Sequence, residues 1–120
     1  MLPGMERCDV CGYEWDALAD DELAPRLRAA IDGLIVAVGR PDAATRPAPG
    51  TWSPIEYAAH VRDVLFNLRE RFLLAAIEDE PVPPRIYPDD RVKLGLYAVE
   101  DPEVLAAELR VGTGLGLRTL

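Results

Sequence analysis

The chain has one histidine, His60, one lysine, Lys93, and only two cysteines, Cys8 and Cys11, in 120 residues. It also has no basic stripe. With a formal net charge of -8 it lacks the cationic surface that neutralises a phosphate backbone, which excludes nucleic-acid binding and disfavours docking to anionic membranes. No long hydrophobic run is present. The longest apolar stretch, GLIVAVG at 33–39, falls far short of the roughly 20 residues of a membrane span. No basic segment followed by an apolar one opens the chain, so no signal peptide is read and the expected location is the cytoplasm. Apolar and charged contents of 49% and 28% describe an ordinary folded chain, long enough for one domain spanning 1–120 and one core.

With so few cysteines, their spacing carries the information. Cys8 and Cys11 stand in RCDVCGYEW as a C-x-x-C followed by glycine, the spacing at which two thiolates can meet one metal. Three readings stay open: an inert pair, a zinc half-site completed elsewhere, or a redox-active dithiol. No strand-helix unit surrounds the motif to support the last. Residues 1–20 form an arm with little periodicity, and Tyr13 and Trp15 are its expected anchors onto the core.

Helical periodicity dominates the rest. In DDELAPRLRAAIDGLIVAVGR, Leu23, Leu27, Ile31, Leu34, Ile35 and Val38 recur at three- and four-residue spacing, with Asp20 or Asp21 as the expected cap. A loop rich in proline and glycine follows, and then the clearest helix start in the chain. Ser53 is a natural N-cap, Pro54 takes the first helical position, and Glu56 completes a capping box. This second helix runs to about Glu78. EDEPVPPRIYPDD reads as an extended connection, and a third helix starts at Asp101-Pro102-Glu103. The glycines of GTGLGLRTL suppress helix, so 112–120 is expected to be an irregular tail. No strand alternation appears. The fold class is all-α, with three helices and an exposed apolar face that a homodimer would cover.

His60 lies on the second helix with Glu56 one turn before it and Asp63 nearly one turn after. It can be a metal ligand whose other ring nitrogen bonds Glu56 or Asp63, or a histidine satisfied by those same groups at a helix interface. Arg62, Arg69, Glu70 and Arg71 read as a solvated charged face, with recognition of a carboxylate-bearing thiol as the functional alternative. Trp52 and Tyr57 read as packing residues.

RPAPGTWSPIEYAAHVRDV resembles the second-helix signature of the DinB-like proteins, which include mycothiol- and bacillithiol-dependent transferases and isomerases. The elements carried are the Arg46-Pro47 loop, Trp52 before the Ser53-Pro54 cap, Glu56-Tyr57, and His60 through Asp63. CDVCGYEWD is similar to the opening of a subgroup, and DPEVLAAEL to a third-helix start. The resemblance implies an up-down-down-up helical bundle, often dimeric, and a low-molecular-weight thiol as substrate for a transferase or hydrolase. It implies a divalent metal, nickel or zinc, held by three histidines. His60 matches the one on the second helix. The other two, spaced H-x-x-x-H on a fourth helix, have no counterpart in this sequence. By that resemblance the chain is a DinB-like bundle stopping before its fourth helix.

Overall fold

The computed structural model describes residues 6–14 and 18–119, so the Trp15 anchor lies outside the described residues. Four helices follow a short N-terminal hairpin: α1 (Asp20–Val38), α2 (Pro54–Ile77), α3 (Pro88–Lys93) and α4 (Pro102–Thr119). Among the described residues there is no strand beyond one isolated bridge, Arg7 to Glu14. The all-α reading holds.

α2 and α4 pair most extensively, and α1 packs on both, more on α4 than on α2. The core gathers Ile31 and Val38 from α1, Ile55, Ala58, Ala59 and Leu65 from α2, Leu105 and Leu109 from α4, and Ala43 and Tyr97 from the connections. Helical spacing accounts for each set, since positions three or four apart share one face.

α1 begins where the acids begin, yet not with the expected cap. Ala19 is the N-cap and makes no side-chain bond, whereas Asp20, Asp21 and Glu22 occupy the first turn. Their charge sits at the positive end of the helix dipole instead. Pro25 lies inside the helix, near enough to the start that only one backbone bond is forfeited. α2 starts as its sequence dictates. Ser53 Oγ accepts from the Glu56 N–H at 3.2 Å, and Glu56 Oε1 accepts from the Ser53 N–H at 3.0 Å. α4 is capped by Asp101, whose Oδ1 accepts from the backbone of Glu103 and Val104.

Two readings are corrected. Residues 112–119 are no irregular tail, because α4 continues through them to Thr119. The reason is tertiary. A Cβ at Gly112 would lie 3.0 Å from the Leu65 Cβ and 3.4 Å from the Phe66 ring, and one at Gly116 would lie 3.5 Å from Leu68. The missing side chains let α4 lie close against α2, and this packing outweighs the roughly 1 kcal/mol per residue that glycine costs a helix. The segment before Pro102 is also more than an extended connection. Tyr87, in the left-handed region at φ 56°, turns the chain into α3, which has Pro88 at its start, Asp89 and Asp90 in its first turn, and Arg91 and Lys93 in its last.

Candidate functional site

The first three turns of α2 hold the polar residues singled out from sequence, and the structure gives each a different neighbourhood. Glu56 is 2% exposed. Arg46, from the loop before α2, grips it with two parallel bonds: Nε to Oε1 at 2.8 Å and Nη2 to Oε2 at 2.7 Å. The Arg46 bonds hold the Glu56 carboxyl at about 2. They outweigh the opposing effect of burial, and the Ser53 N–H helps them. Arg46 is in turn pushed up by the same bonds. Glu56 therefore staples the loop to the helix start.

Asp63 is the hub of a second network. Its Oδ1 accepts from Arg62 Nε at 3.0 Å, and its Oδ2 accepts from the Tyr97 hydroxyl at 2.6 Å and from Arg91 Nη1. Burial opposes its charge, but these three donors outweigh burial and hold the carboxyl below its usual range. Tyr97, 1% exposed, is pushed up to about 12 by burial and then by the Asp63 carboxylate. Arg62 donates through Nη1 to Glu100 Oε1 at 2.8 Å and Glu108 Oε1 at 3.2 Å. Its side chain is 12% exposed. Burial works against its charge, and the surrounding carboxylates more than offset that, so it is held protonated. One cluster thus ties α2 to α3, to the 94–101 connection and to α4.

This corrects the reading of Arg62 as part of a solvated face. Arg69 and Glu70 are exposed as expected, and Arg71 donates to the Pro84 carbonyl at 2.7 Å. Arg62 already holds three carboxylates and is not free for a ligand. The missed partners, Arg91, Tyr97, Glu100 and Glu108, lie 28 to 46 residues away from Asp63 and Arg62 in sequence, where no local pattern points to them.

His60 sits between the two networks and joins neither through its Nδ1, which is buried and has no hydrogen-bond partner. The expected bond to Glu56 or Asp63 does not form there, because both carboxylates are held by arginines. The imidazole instead meets Trp52 edge-on, centroids 5.8 Å apart, and Trp52 packs on Tyr57 at 5.2 Å. A buried, unpartnered ring nitrogen is costly, and it suits a ligand position. The remaining ligands are not at hand. Among the described residues, no three His, Cys, Asp or Glu side chains converge as a metal-binding group. The residues present fit one ligand of a three-histidine site and not the whole of it. Cys8 and Cys11 are both free thiols on the N-terminal hairpin.

A family comparison decides what this bundle is related to. The sequence model of the DinB superfamily matches residues 19–112. The chain belongs to the DinB superfamily. The match takes in α1, the Arg46 loop, all of α2 with His60, α3 and the first half of α4. No curated protein and no solved structure matches the chain. No helix among the described residues of this DinB protein is long and apolar enough to cross a membrane.

Proposed function

We propose that this DinB domain is of the metal-dependent thiol-transferase type and that His60 supplies one ligand to a divalent cation, nickel or zinc. The other ligands would come from a further helix laid against the bundle. The carrying observation is the buried, unpartnered Nδ1 of His60, next to two carboxylates that are fully engaged elsewhere. Arg46 and Ser53 hold Glu56, and Arg62, Arg91 and Tyr97 hold Asp63, so the turn of α2 that presents His60 is fixed from both sides. A bound divalent cation would supply Lewis-acid activation of a thiol. The polypeptide shown here contributes the rigid platform and one imidazole. Nickel binding by the purified protein, followed by calorimetry, tests this reading. Binding that His60→Ala weakens or abolishes supports it, and binding unchanged in His60→Ala overturns it.

A second reading rests on a separate observation. Large apolar side chains remain exposed along α2 and α4, among them Phe66, Leu73, Ile77, Val104 and Val111. Near the C-terminal ends of the two helices, Phe72, Leu73 and Ala76 line a groove of about 320 Å³ with Arg69, Arg118 and Thr119. A surface of this kind suits association with a second copy, making the domain a dimerisation module without chemistry of its own. Sedimentation of the wild type and of Leu73→Glu tests it. A dimer that the charge disperses supports association through this face, and a monomeric wild type counts against it.

A further inference from the structure

Outside the helical bundle, residues 6–14 fold into a tight hairpin with both cysteines at its tip. Arg7 and Glu14 close its base as an antiparallel bridge. The Cys8 N–H donates to the Tyr13 carbonyl at 2.8 Å, and the Gly12 N–H donates to the Cys8 carbonyl at 2.9 Å. Gly12 takes φ 77°, a left-handed conformation that glycine adopts without a steric penalty. Sequence and turn agree here: the glycine directly after C-x-x-C is the residue that lets the chain double back.

The consequence is chemical. With the turn closed, the Gly12 N–H bond to the Cys8 carbonyl holds Cys8 and Cys11 within a single turn, at the spacing that lets two sulfurs meet one metal. Cys11 is exposed, Cys8 is half-buried, and Val10 at the tip is 96% exposed. Two cysteines on one preformed turn, once deprotonated, are half of the tetrahedral sulfur site that suits zinc. Two coordination positions remain. No third ligand from the described residues joins the pair, and the exposed tip leaves room for an identical hairpin to approach.

We propose that Cys8 and Cys11 form a zinc knuckle and that two copies of this chain share one zinc ion through four thiolates. On binding, four S–H bonds release four protons and four Zn–S bonds form, with no change of oxidation state. The shared zinc site uses none of the helix residues and is independent of the role given to His60.

The test uses the full chain, purified without chelator, with zinc content and mass read together by native mass spectrometry. Cobalt(II) serves as the spectroscopic probe. The expected result is one zinc per two chains, a dimer that falls to monomer when zinc is chelated, and a cobalt spectrum with the intense sulfur-to-metal bands of a tetrathiolate. All three should vanish in Cys8→Ser/Cys11→Ser and persist in His60→Ala, which separates this site from any cation at His60. One zinc per single chain with a mixed sulfur and oxygen or nitrogen spectrum would overturn the sharing between copies. No retained zinc, or equal zinc in the double serine variant, would overturn the site itself. Circular dichroism of the double variant checks that the helices remain.

Discussion

The two halves of α2 differ sharply. Its first three turns bury Ile55, Glu56, Ala58 and Ala59, and their polar groups are fixed by Arg46, Arg62, Arg91 and Tyr97. After Leu65 no residue of the helix is fully buried, and Phe66, Leu73 and Ile77 lie exposed. The same helix is therefore pinned at one end by a network of charges and hydrogen bonds, and at the other chiefly by apolar contact with α4, with the Arg71 bond to the Pro84 carbonyl beside it. The lesson concerns where specificity lies. Apolar packing sets that α2 and α4 pair, whereas the Asp63 and Glu56 networks set which loops reach them and in what register.

Breaking the pinned end should have the largest effect. Asp63→Ala leaves the Tyr97 hydroxyl buried without its acceptor and removes the carboxylate between Arg62 and Arg91. A loss of about 3 kcal/mol in urea unfolding is expected. If the variant is as stable as the wild type, the network is an ornament of the surface rather than a clamp.

Glu56→Gln comes next, at about 2 kcal/mol at pH 7, since it removes the charge that Arg46 grips. Its pH dependence has a definite sign. Glu56 falls from an ordinary value of 4.5 to about 2 in the fold. A carboxylate depressed in this way stabilises the folded state above its unfolded value and loses that contribution as pH falls through the folded one. Melting temperatures of wild type and Glu56→Gln should thus differ at pH 7 and converge between pH 4.5 and about 2. A constant gap across that window would rule out the charge as the source.

The apolar end is sharpened by glycine. Gly112→Ala places a Cβ 3.0 Å from the Leu65 Cβ, an atom fixed to the α2 backbone, so α4 must shift outward. Overpacking of this kind costs about 1–3 kcal/mol, against a gain of roughly 1 kcal/mol in helix propensity, and because the Leu65 Cβ cannot give way a net loss is expected. Gly33→Ala in α1 meets nothing within 4 Å and should instead stabilise by about 0.5–1 kcal/mol through helix propensity. Opposite signs for one substitution in two helices, read by thermal melts, would establish that the α2–α4 approach is what requires Gly112.

Much of this was legible in the chain. The Ser53-Pro54-Glu56 and Asp101-Pro102 starts are local chemistry, in which cap, proline and dipole act within four residues, and both helices begin there. The apolar spacing of α1 gave its extent, although the cap fell on Ala19 because the acids were more useful inside the first turn. The string around His60 carried the family, and the DinB match bears that out. The glycine-rich end of α4 misled, since helix propensity alone argues against it.

Sequence by itself therefore determined the helices that begin with their own caps, the core faces and the kinship with DinB proteins, because each depends on residues a few positions apart. Tertiary structure alone decided the helical course of 112–119, the burial of Arg62 among Asp63, Glu100 and Glu108, and the orphaned Nδ1 of His60. Each of those depends on which distant group arrives first at a carboxylate or a helix face. Arg46 and Arg91 reach Glu56 and Asp63, and His60 is left without the partner that its own helix offered.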